Sequence, residues 1–283
     1  MEFRTIVDIP APGFEIQPCE EVLFVGSCFA DEIGGRFRDN GFPVTVNPYG
    51  VMYNPASILH TIERYEGAPR IVFLTLGTNH VYRLKETGKI VDNCEKRPQN
   101  LFQEEQLSVD ECVAYLQKAV EMLRQRNPEV NVILTVSPIR YRKYGYHGSQ
   151  LSKATLLLAI DHLIHHPSNI QPHSSSIQPH SSSIQHLHYF PSYEILMDEL
   201  RDYRFYASDM LHPSSQAVDY IWERLVETCF SAEAKVFLQE WLPLRQALAH
   251  KPFHPDAPEY QAFMDKTMLK ISELRKKYTN FAL

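Results

Sequence analysis

Short runs of consecutive apolar residues constrain the fold of this chain more than any other feature of its sequence. Three such runs lie in residues 22–25, 70–77 and 131–137, and a fourth strand candidate lies at 186–190. The runs lack the apolar–polar alternation of half-exposed strands, and segments with helical periodicity separate them. Buried strands that alternate with helices are typical of a parallel sheet covered on both faces. We therefore predict an α/β fold, with a brief edge strand in residues 43–50.

Composition divides the chain into three parts. Residues 1–20 contain three prolines and a glycine and are expected to form an irregular lead-in. Residues 21–230 contain the predicted strands and most of the helices, and we interpret them as one domain. Residues 231–283 are expected to form a C-terminal helical extension. Its last helix, 260–278, has an amphipathic pattern, which predicts packing on the domain, with a homodimer contact as the lesser alternative.

Two segments of the domain are predicted to be loops. Residues 81–107 are polar and irregular, and their length alone suggests a functional loop. Residues 168–186 have low complexity, because Ile-Gln-Pro-His-Ser-Ser-Ser at 170–176 repeats letter for letter at 177–183. The proline in each copy excludes a regular helix, and a short period rich in Pro and Ser cannot bury a core. We interpret this repeat as an expanded surface loop.

Several helix starts can be identified from capping residues. Asn54 followed by Pro55 is the favoured pairing of an N-cap with a proline at the first helical position. Ser108 and Glu111 have the spacing of a capping box and predict a helix that begins there. Pro213 is likewise expected to begin a helix.

Charge and cysteine content narrow the possible classes of function. The net charge of −6 argues against nucleic acid as a partner. The five cysteines are odd in number and have no Cys-x-x-Cys spacing, so they predict neither a disulfide framework nor a zinc site. The N-terminal residues lack an apolar signal segment, and no apolar run approaches membrane-spanning length. We therefore expect a cytoplasmic protein without a membrane partner.

The polar residues of interest follow the predicted strands. Ser27 and Cys28 come after the first apolar run, Gly50 after the edge strand, and residues 77–79 and 137–140 after the next two runs. In open α/β sheets, ligands bind outside the carboxyl ends of the strands. Because all these residues fall at strand ends of that kind, we expect them to share one edge of the sheet.

Residues suited to nucleophilic acyl chemistry are present in the sequence. Such chemistry requires a nucleophile, a base with an orienting acid, and donors for the oxyanion. Asp209 and His212 are three residues apart just ahead of a helix, so the carboxylate can fix the tautomer of an imidazole that acts as base. Asn79 offers an amide donor, and the N–H of Gly50 can be approached closely because glycine has no Cβ.

These motifs resemble those of the GSCFA family, within the SGNH or GDSL-type hydrolase superfamily. The letters Gly26-Ser-Cys-Phe-Ala30 match the family's name, Gly77-Thr-Asn-His80 resembles its Gly-x-Asn-Asp block, and Asp209-Met-Leu-His212 matches Asp-x-x-His. The resemblance covers roughly residues 20–230. It implies a flavodoxin-like three-layer α/β/α sandwich and metal-independent hydrolysis or transfer of acyl groups. It also implies an oxyanion hole that includes Gly50 and Asn79.

The sequence departs from the superfamily pattern at the nucleophile. The usual first block is Gly-Asp-Ser, whereas this chain has Gly26-Ser27-Cys28. Aligned on the glycine without a gap, Cys28 takes the nucleophile position and Ser27 that of the aspartate. Neighbouring side chains at such a turn point in different directions, so only one is expected to face His212. A thiol at a helix N-terminus beside a histidine is expected to have a lowered pKa.

Three further residues are predicted to contact substrate. His80 stands where the pattern has Asp and is a candidate pocket residue. Arg140 and Lys153 belong to a basic, aromatic cluster after the third long run, and either is a candidate contact for an anionic or sugar part of the substrate. His162 and His166 have a spacing that can bind zinc, but no metalloprotease pattern surrounds them. We therefore expect neither a metal nor another cofactor.

Each residue also has a simpler interpretation. Cys28 alone can be a small buried hydrophobe, Ser27 a helix cap, and Asn79 a turn residue. Asp209 and His212 can form a structural cap. The leading hypothesis from the combined motifs is an esterase, deacylase or acyltransferase acting on an acylated small molecule, lipid or carbohydrate. Its main rival is a degenerate binding module that retains the pocket without catalysis, and a weaker one is an assembly protein that docks a partner through its C-terminal helices.

Overall fold

Strands and helices alternate along the chain in the computed structural model, which describes residues 4–92, 97–165, 186–254 and 256–283. The strands within these residues are β1 (Val22–Gly26), β2 (Val44–Val46), β3 (Ile71–Leu76), β4 (His80–Leu84), β5 (Ile90–Val91), β6 (Phe102–Gln106), β7 (Asn131–Val136) and β8 (Leu187–Tyr189). The helices are α1 (Cys28–Asp39), α2 (Pro55–Arg64), α3 (Val109–Arg126), α4 (Gly145–His165), α5 (Ser192–Glu194), α6 (Ser215–Cys229), α7 (Ala232–Ala249) and α8 (Pro258–Lys277). A π-helical turn, Ile195–Glu199, follows α5 directly.

Five of these strands form the central sheet. Their order is β2-β1-β3-β7-β8, and each neighbouring pair is parallel. This is the order of flavodoxin-like, doubly wound proteins. The predicted parallel sheet is therefore confirmed, and β2 lies at its edge as expected.

Alternate residues of the sheet enter two separate hydrophobic cores. Phe24, Phe73 and Ile133 point to the face covered by α1 and α6. Leu23, Val72 and Leu134 point to the opposite face, which α2, α3 and α4 cover. Because both faces are buried, the strands are apolar throughout, and this explains the continuous apolar runs in the sequence. The result is the predicted three-layer α/β/α sandwich.

The C-terminal helices share the core of the first face. Phe237 and Trp241 of α7 and Phe281, which follows α8, belong to the same hydrophobic cluster as α1. The indole N–H of Trp241 donates to the carbonyl of Asp39 at 2.9 Å. These contacts attach residues 231–283 to the sandwich.

The helix starts follow the predicted capping chemistry in two of three cases. Asn54 caps α2 by accepting the N–H of Ser57 at 2.9 Å. Ser108 and Glu111 form both bonds of a capping box at the start of α3. The prediction for Pro213 was wrong by two residues, since α6 begins at Ser215 and its N-cap is Ser214. Ser214 provides the side-chain acceptor that a helix start needs, which proline lacks.

The prediction of an irregular loop over residues 81–107 was wrong. Strands β5, β4 and β6 form a small antiparallel sheet in that order. Charged pairs across the strands stabilise it, such as Arg83 with Glu105 at 3.0 Å. Half-exposed antiparallel strands carry many polar residues, which is why this segment lacks the apolar signal of the central strands.

The predicted low-complexity loop lies almost entirely outside the described residues, as does Cys94. The described cysteines, Cys19, Cys28, Cys112 and Cys229, are all free thiols. Within the described ranges, no helix combines the length and apolar character needed to span a bilayer.

Candidate active site

A glycine turn places Ser27 and Cys28 at the carboxyl edge of the sheet. Strand β1 ends at Gly26, whose φ of +148° favours glycine. A Cβ at this position would also lie only 2.2 Å from the carbonyl oxygen of Thr75 in the adjacent strand β3. The tight turn that presents the next two residues therefore requires glycine.

Ser27 is a buried helix cap. Its side-chain oxygen accepts the N–H of Phe29 at 3.2 Å and lies 2.6 Å from the hydroxyl oxygen of Ser137. The residue is 0% exposed. These contacts turn Ser27 into the protein, toward the end of β7, and engage its hydroxyl in structure.

Cys28 is the member of the pair that faces the histidine. Its Sγ lies 3.4 Å from Nε2 of His212, and the Nδ1 of that imidazole lies 2.6 Å from Oδ2 of Asp209. An Nδ1–H donated to Asp209 leaves Nε2 as the acceptor, so we assign this tautomer from the hydrogen-bond pattern. Cys28, His212 and Asp209 thus form a continuous hydrogen-bonded series.

Hydrogen bonds within the loop before α6 position Asp209 and His212. Oδ1 of Asp209 accepts the N–H groups of Leu211 and His212 at 2.8 and 3.0 Å. Met210 between them has a φ of +58°, a left-handed conformation that is unfavourable for a side chain of this kind. The hydrogen bonds from the His212 and Leu211 N–H groups, together with the His212 side chain, lower the pKa of Asp209 to about 2. Asp209 is therefore a carboxylate throughout the physiological range.

The expected lowering of the thiol pKa was wrong. Burial raises the pKa of Cys28 above its ordinary value, and this effect outweighs the N–H at the start of α1, which lowers it. Asp31 and Glu32 raise the pKa further, whereas Lys153 lowers it. A thiol with a raised pKa is protonated at neutral pH.

The two predicted oxyanion donors have other partners in this structure. The N–H of Gly50 donates to the carbonyl of Asn47 at 2.9 Å within an exposed turn. The side-chain amide of Asn79 donates to the carbonyl of Leu107 at 2.7 Å, and its backbone N–H donates to Ser152. Their role as oxyanion donors stays a prediction.

Lys153, predicted as a candidate contact for an anionic or sugar part of the substrate, is buried. It is 1% exposed, and its ammonium group donates to the carbonyls of Gly77 and Ser137 at 2.7 and 2.8 Å. Burial lowers the pKa of Lys153 to about 7, although the nearby Cys28 opposes this shift. Lys153 thus links the ends of β3 and β7.

His80 and Arg140 lie in different surroundings. His80 is stacked on Tyr144 with ring centroids 3.6 Å apart, and its Nδ1 lies 3.0 Å from Glu104. The side chain of His80 is only 7% exposed and packs beside β6, and its role as a pocket residue stays a prediction. Arg140 lies beside the loop that carries Asp209 and His212 and donates its Nη1–H to the carbonyl of Met210 at 3.1 Å. It also lines an open cleft.

His, Cys, Asp and Glu side chains are the usual protein ligands of metal ions. Across the part of the chain that the structure describes, no three of them gather as they would around an ion. His166, one half of the zinc spacing considered from the sequence, lies outside the described residues.

The fold and the site together define an α/β/α protein with a Cys-His-Asp arrangement at the carboxyl edge of its sheet. The model of the GSCFA family matches residues 21–70 and 67–225, and that of the "GSCFA domain protein, C-terminal domain" matches residues 241–283. The chain therefore belongs to the GSCFA family.

Similar solved structures include two of bacterial and fungal origin. A carbohydrate esterase of family 3 from Talaromyces cellulolyticus is 12% identical, with 80% of this chain and 98% of that chain covered and a TM-score of 0.44. A member of the lipolytic G-D-S-L family from Veillonella parvula is 14% identical, with 75% and 97% covered and a TM-score of 0.43. A search of curated proteins finds no match to this chain.

Proposed function

We propose that this protein is an acyl-ester hydrolase or acyltransferase in which Cys28 is the nucleophile. One observation carries the proposal, namely the hydrogen-bonded series from Cys28 through His212 to Asp209. Its distances of 3.4 and 2.6 Å satisfy the requirement for a nucleophile, a base and an orienting acid within reach of one another.

In the first step, Nε2 of His212 removes the thiol proton while Sγ attacks the carbonyl carbon of the ester. The carbonyl π electrons move to oxygen and form a tetrahedral oxyanion. Collapse of this intermediate breaks the bond to the alcohol oxygen, which takes the proton from His212. The acyl group is then held on Cys28 as a thioester.

In the second step, water or an acceptor alcohol attacks the thioester. His212 removes its proton, and collapse expels the Cys28 thiolate, which recovers a proton from His212. Water gives a carboxylic acid and makes the protein a hydrolase, whereas an alcohol gives a new ester and makes it a transferase. Asp209 holds the imidazole in the required tautomer in both steps.

The raised pKa of Cys28 supports general-base activation rather than a resting thiolate. A thiol that stays protonated until substrate is bound depends on His212 for its nucleophilicity. The backbone N–H of Cys28, at the first position of α1, lies next to its own thiol and is a candidate oxyanion donor. The positive end of the helix dipole strengthens such a donor.

A second candidate function is a binding module that retains the pocket without turnover. The other partners of Gly50 and Asn79 favour it, because oxyanion donors engaged elsewhere give little stabilisation of the intermediate.

Turnover of short-chain aryl esters separates the two candidates. We expect Cys28→Ala and His212→Ala each to reduce kcat/KM to the uncatalysed background, while Ser27→Ala retains most of it. If wild-type protein is inert toward all such esters but binds their alcohol products, it is a binding module. If Ser27→Ala is inert and Cys28→Ala is active, the nucleophile is the serine.

A further inference from the structure

A cleft of about 350 Å³ lies beside the loop that carries Asp209 and His212. Its walls are the segment after β7, the first turns of α4, and the segment that contains the π-helical turn. Its volume falls in the range of small-molecule sites, and π-helical turns frequently occur where proteins bind ligands. The cleft can therefore accommodate part of a substrate.

Arg140 connects this cleft to the catalytic loop. It lines the cleft, its backbone N–H donates to the carbonyl of Leu211 at 3.0 Å, and its Nη1–H donates to that of Met210 at 3.1 Å. Both carbonyls lie between the two catalytic residues of the loop. Arg140 thus lies between the cleft and the loop that carries Asp209 and His212.

The guanidinium of Arg140 forms no ion pair with a described residue, unlike the other charged side chains that line this cleft. It lies over the rings of Tyr146, Tyr206 and Tyr203, at 4.3, 5.3 and 5.9 Å from their centroids. No carboxylate lies within ion-pair distance of it in the described residues.

The two carboxylates of the cleft each have another partner. Asp198 pairs with Arg201 at 3.7 Å, and Asp202 pairs with Arg204 at 3.1 Å. A planar cation surrounded by aromatic rings, with N–H groups left over, matches a carboxylate or phosphate oxygen pair.

The direction of the reaction decides which half of the ester enters the cleft. His212 delivers the proton to the leaving alcohol, so that alcohol must lie on the side of the His212 loop. The cleft borders the same loop. We propose that the cleft binds the alcohol part of the substrate and that this part carries an anionic group, carboxylate or phosphate, which Arg140 recognises. This inference rests on the proposed acyl chemistry.

Matched esters test this inference. The acetyl esters of para-hydroxybenzoate and para-hydroxybenzamide have nearly the same shape and differ in charge. We expect wild-type protein to prefer the anionic ester by about tenfold in kcat/KM, mostly through KM, as one charge-assisted contact allows. Arg140→Gln should reduce the preference to about one. Arg83→Gln, which removes an equal charge from a residue paired with Glu105 and outside the cleft lining, should retain it.

Because the readout is a ratio, a general loss of activity in Arg140→Gln does not mimic the expected result. A wild-type ratio near one, or a preference that survives in Arg140→Gln, overturns the inference. The acetyl ester of para-hydroxyphenyl phosphate distinguishes the two anions, since a larger preference for it assigns phosphate.

If no ester turns over, equilibrium binding of the two alcohols, para-hydroxybenzoate and para-hydroxybenzamide, is measured instead. Selective binding of para-hydroxybenzoate then supports the anionic cleft and overturns only the catalytic proposal, whereas equal or absent binding overturns both.

An independent observation concerns the hydroxyl of Tyr141. It is buried, and it has no hydrogen-bond partner among the described residues. An unsatisfied buried hydroxyl is costly and rare in folded proteins. The Tyr141 hydroxyl therefore has a donor that no other described residue uses.

The hydroxyl lies against the end of β3, next to the nucleophile. A Cβ on Gly77 would lie 2.4 Å from the Tyr141 hydroxyl oxygen. Strands β1 and β3 pair Gly26 with Thr75, so Cys28 and Gly77 both follow this pair by two residues at the same edge of the sheet. Burial, and then the nearby Cys28, raise the pKa of Tyr141, which keeps this hydroxyl protonated as a donor.

We infer that the Tyr141 hydroxyl donates a hydrogen bond to the oxyanion that forms when Cys28 attacks the ester. It would act together with the backbone N–H of Cys28. The hydroxyl of Tyr144, three residues away, has partners in Thr78 and Glu104 and makes a matched control.

Tyr141→Phe removes only the donor. We expect kcat to fall by about 100-fold with KM nearly unchanged, since one oxyanion donor contributes effects of that size. The midpoint of urea unfolding should stay the same or rise, because an unsatisfied buried group has been removed. Tyr144→Phe should keep its kcat. A Tyr141→Phe protein with wild-type kcat overturns the inference.

A readout without turnover separates this inference from the proposed function. Cys28 should form a hemithioketal with an aryl trifluoromethyl ketone, detected by fluorine NMR, and Tyr141→Phe should weaken its formation by about 100-fold. Equal adduct formation in wild type and Tyr141→Phe overturns the role of Tyr141 alone. No adduct in wild type overturns the role of Cys28 and with it that of Tyr141.

Discussion

Ser27→Ala is the substitution that most clearly separates the structural from the chemical role of the glycine turn. The change removes the cap on the N–H of Phe29, which is worth about 1 kcal/mol. It also leaves the hydroxyl of Ser137, a fully buried residue 2.6 Å from Ser27, without this partner. Leaving a buried hydroxyl unsatisfied costs about 1–3 kcal/mol. The free energy of unfolding should therefore fall by about 2–4 kcal/mol.

Urea unfolding and ester kinetics on the same protein measure both roles. The midpoint of unfolding should fall with the m-value unchanged, because the same surface is exposed on unfolding. At a temperature where the variant is folded, its kcat/KM should stay within about threefold of wild type, since the oxyanion donors and His212 are unaffected. Ser137→Ala and the double variant are the controls. If the two hydroxyls stabilise each other, the double variant should lose less than the sum of the single losses.

The opposite pattern would refute this reasoning. A Ser27→Ala protein that is as stable as wild type but inactive has lost a nucleophile rather than a cap. Additive losses in Ser27→Ala and Ser137→Ala would mean that the 2.6 Å contact contributes nothing.

Three other substitutions test the electrostatics of the fold and site. Burial lowers the pKa of His188 to about 4, so as the pH falls below 6.5 the unfolded chain takes up a proton that the native state does not. Urea unfolding should show wild type losing about 2 kcal/mol between pH 7.5 and about pH 5 relative to His188→Leu. For Lys153, with a pKa of about 7, the unfolded chain holds the extra proton between pH 7 and 10.5. Wild type should therefore gain about 3 kcal/mol from pH 7 to about pH 9.5 relative to Lys153→Met, and a constant difference would show that the lysine is not buried. Asp209→Asn should lower kcat for aryl esters by about 100-fold or more, because the carboxylate that fixes the tautomer of His212 is lost. An unchanged kcat would show that Asp209 does not orient His212.

The central fold could be predicted from the sequence because its strands are buried on both faces. Such strands are apolar at every position, so they stand out without knowledge of their neighbours. The small sheet of β4, β5 and β6 gave no such signal. Its pairs, such as Arg83 with Glu105, form between residues distant in the chain, and only the folded chain brings them together.

The candidate site was predictable only in part, for a similar reason. Asp209 and His212 are only three residues apart in the sequence, so their spacing indicates a shared turn. In the structure, Oδ2 of Asp209 and Nδ1 of His212 lie 2.6 Å apart. The burial of Lys153 and of the Tyr141 hydroxyl depends on how α4 and the segment after β7 pack against strand ends. The thiol pKa could not be predicted either, because desolvation by the surrounding fold outweighs the local helix N-terminus.

The most direct test of a Cys28 nucleophile is to trap the acyl group on the protein. The protein is mixed with a short-chain aryl ester and quenched in acid, and the adduct is located by intact mass and peptide mapping. We expect a hydroxylamine-sensitive acyl thioester on Cys28 that is present in wild type and Ser27→Ala and lost in Cys28→Ala. An acyl group on Ser27, or turnover that persists in Cys28→Ala, would contradict the assignment of the nucleophile.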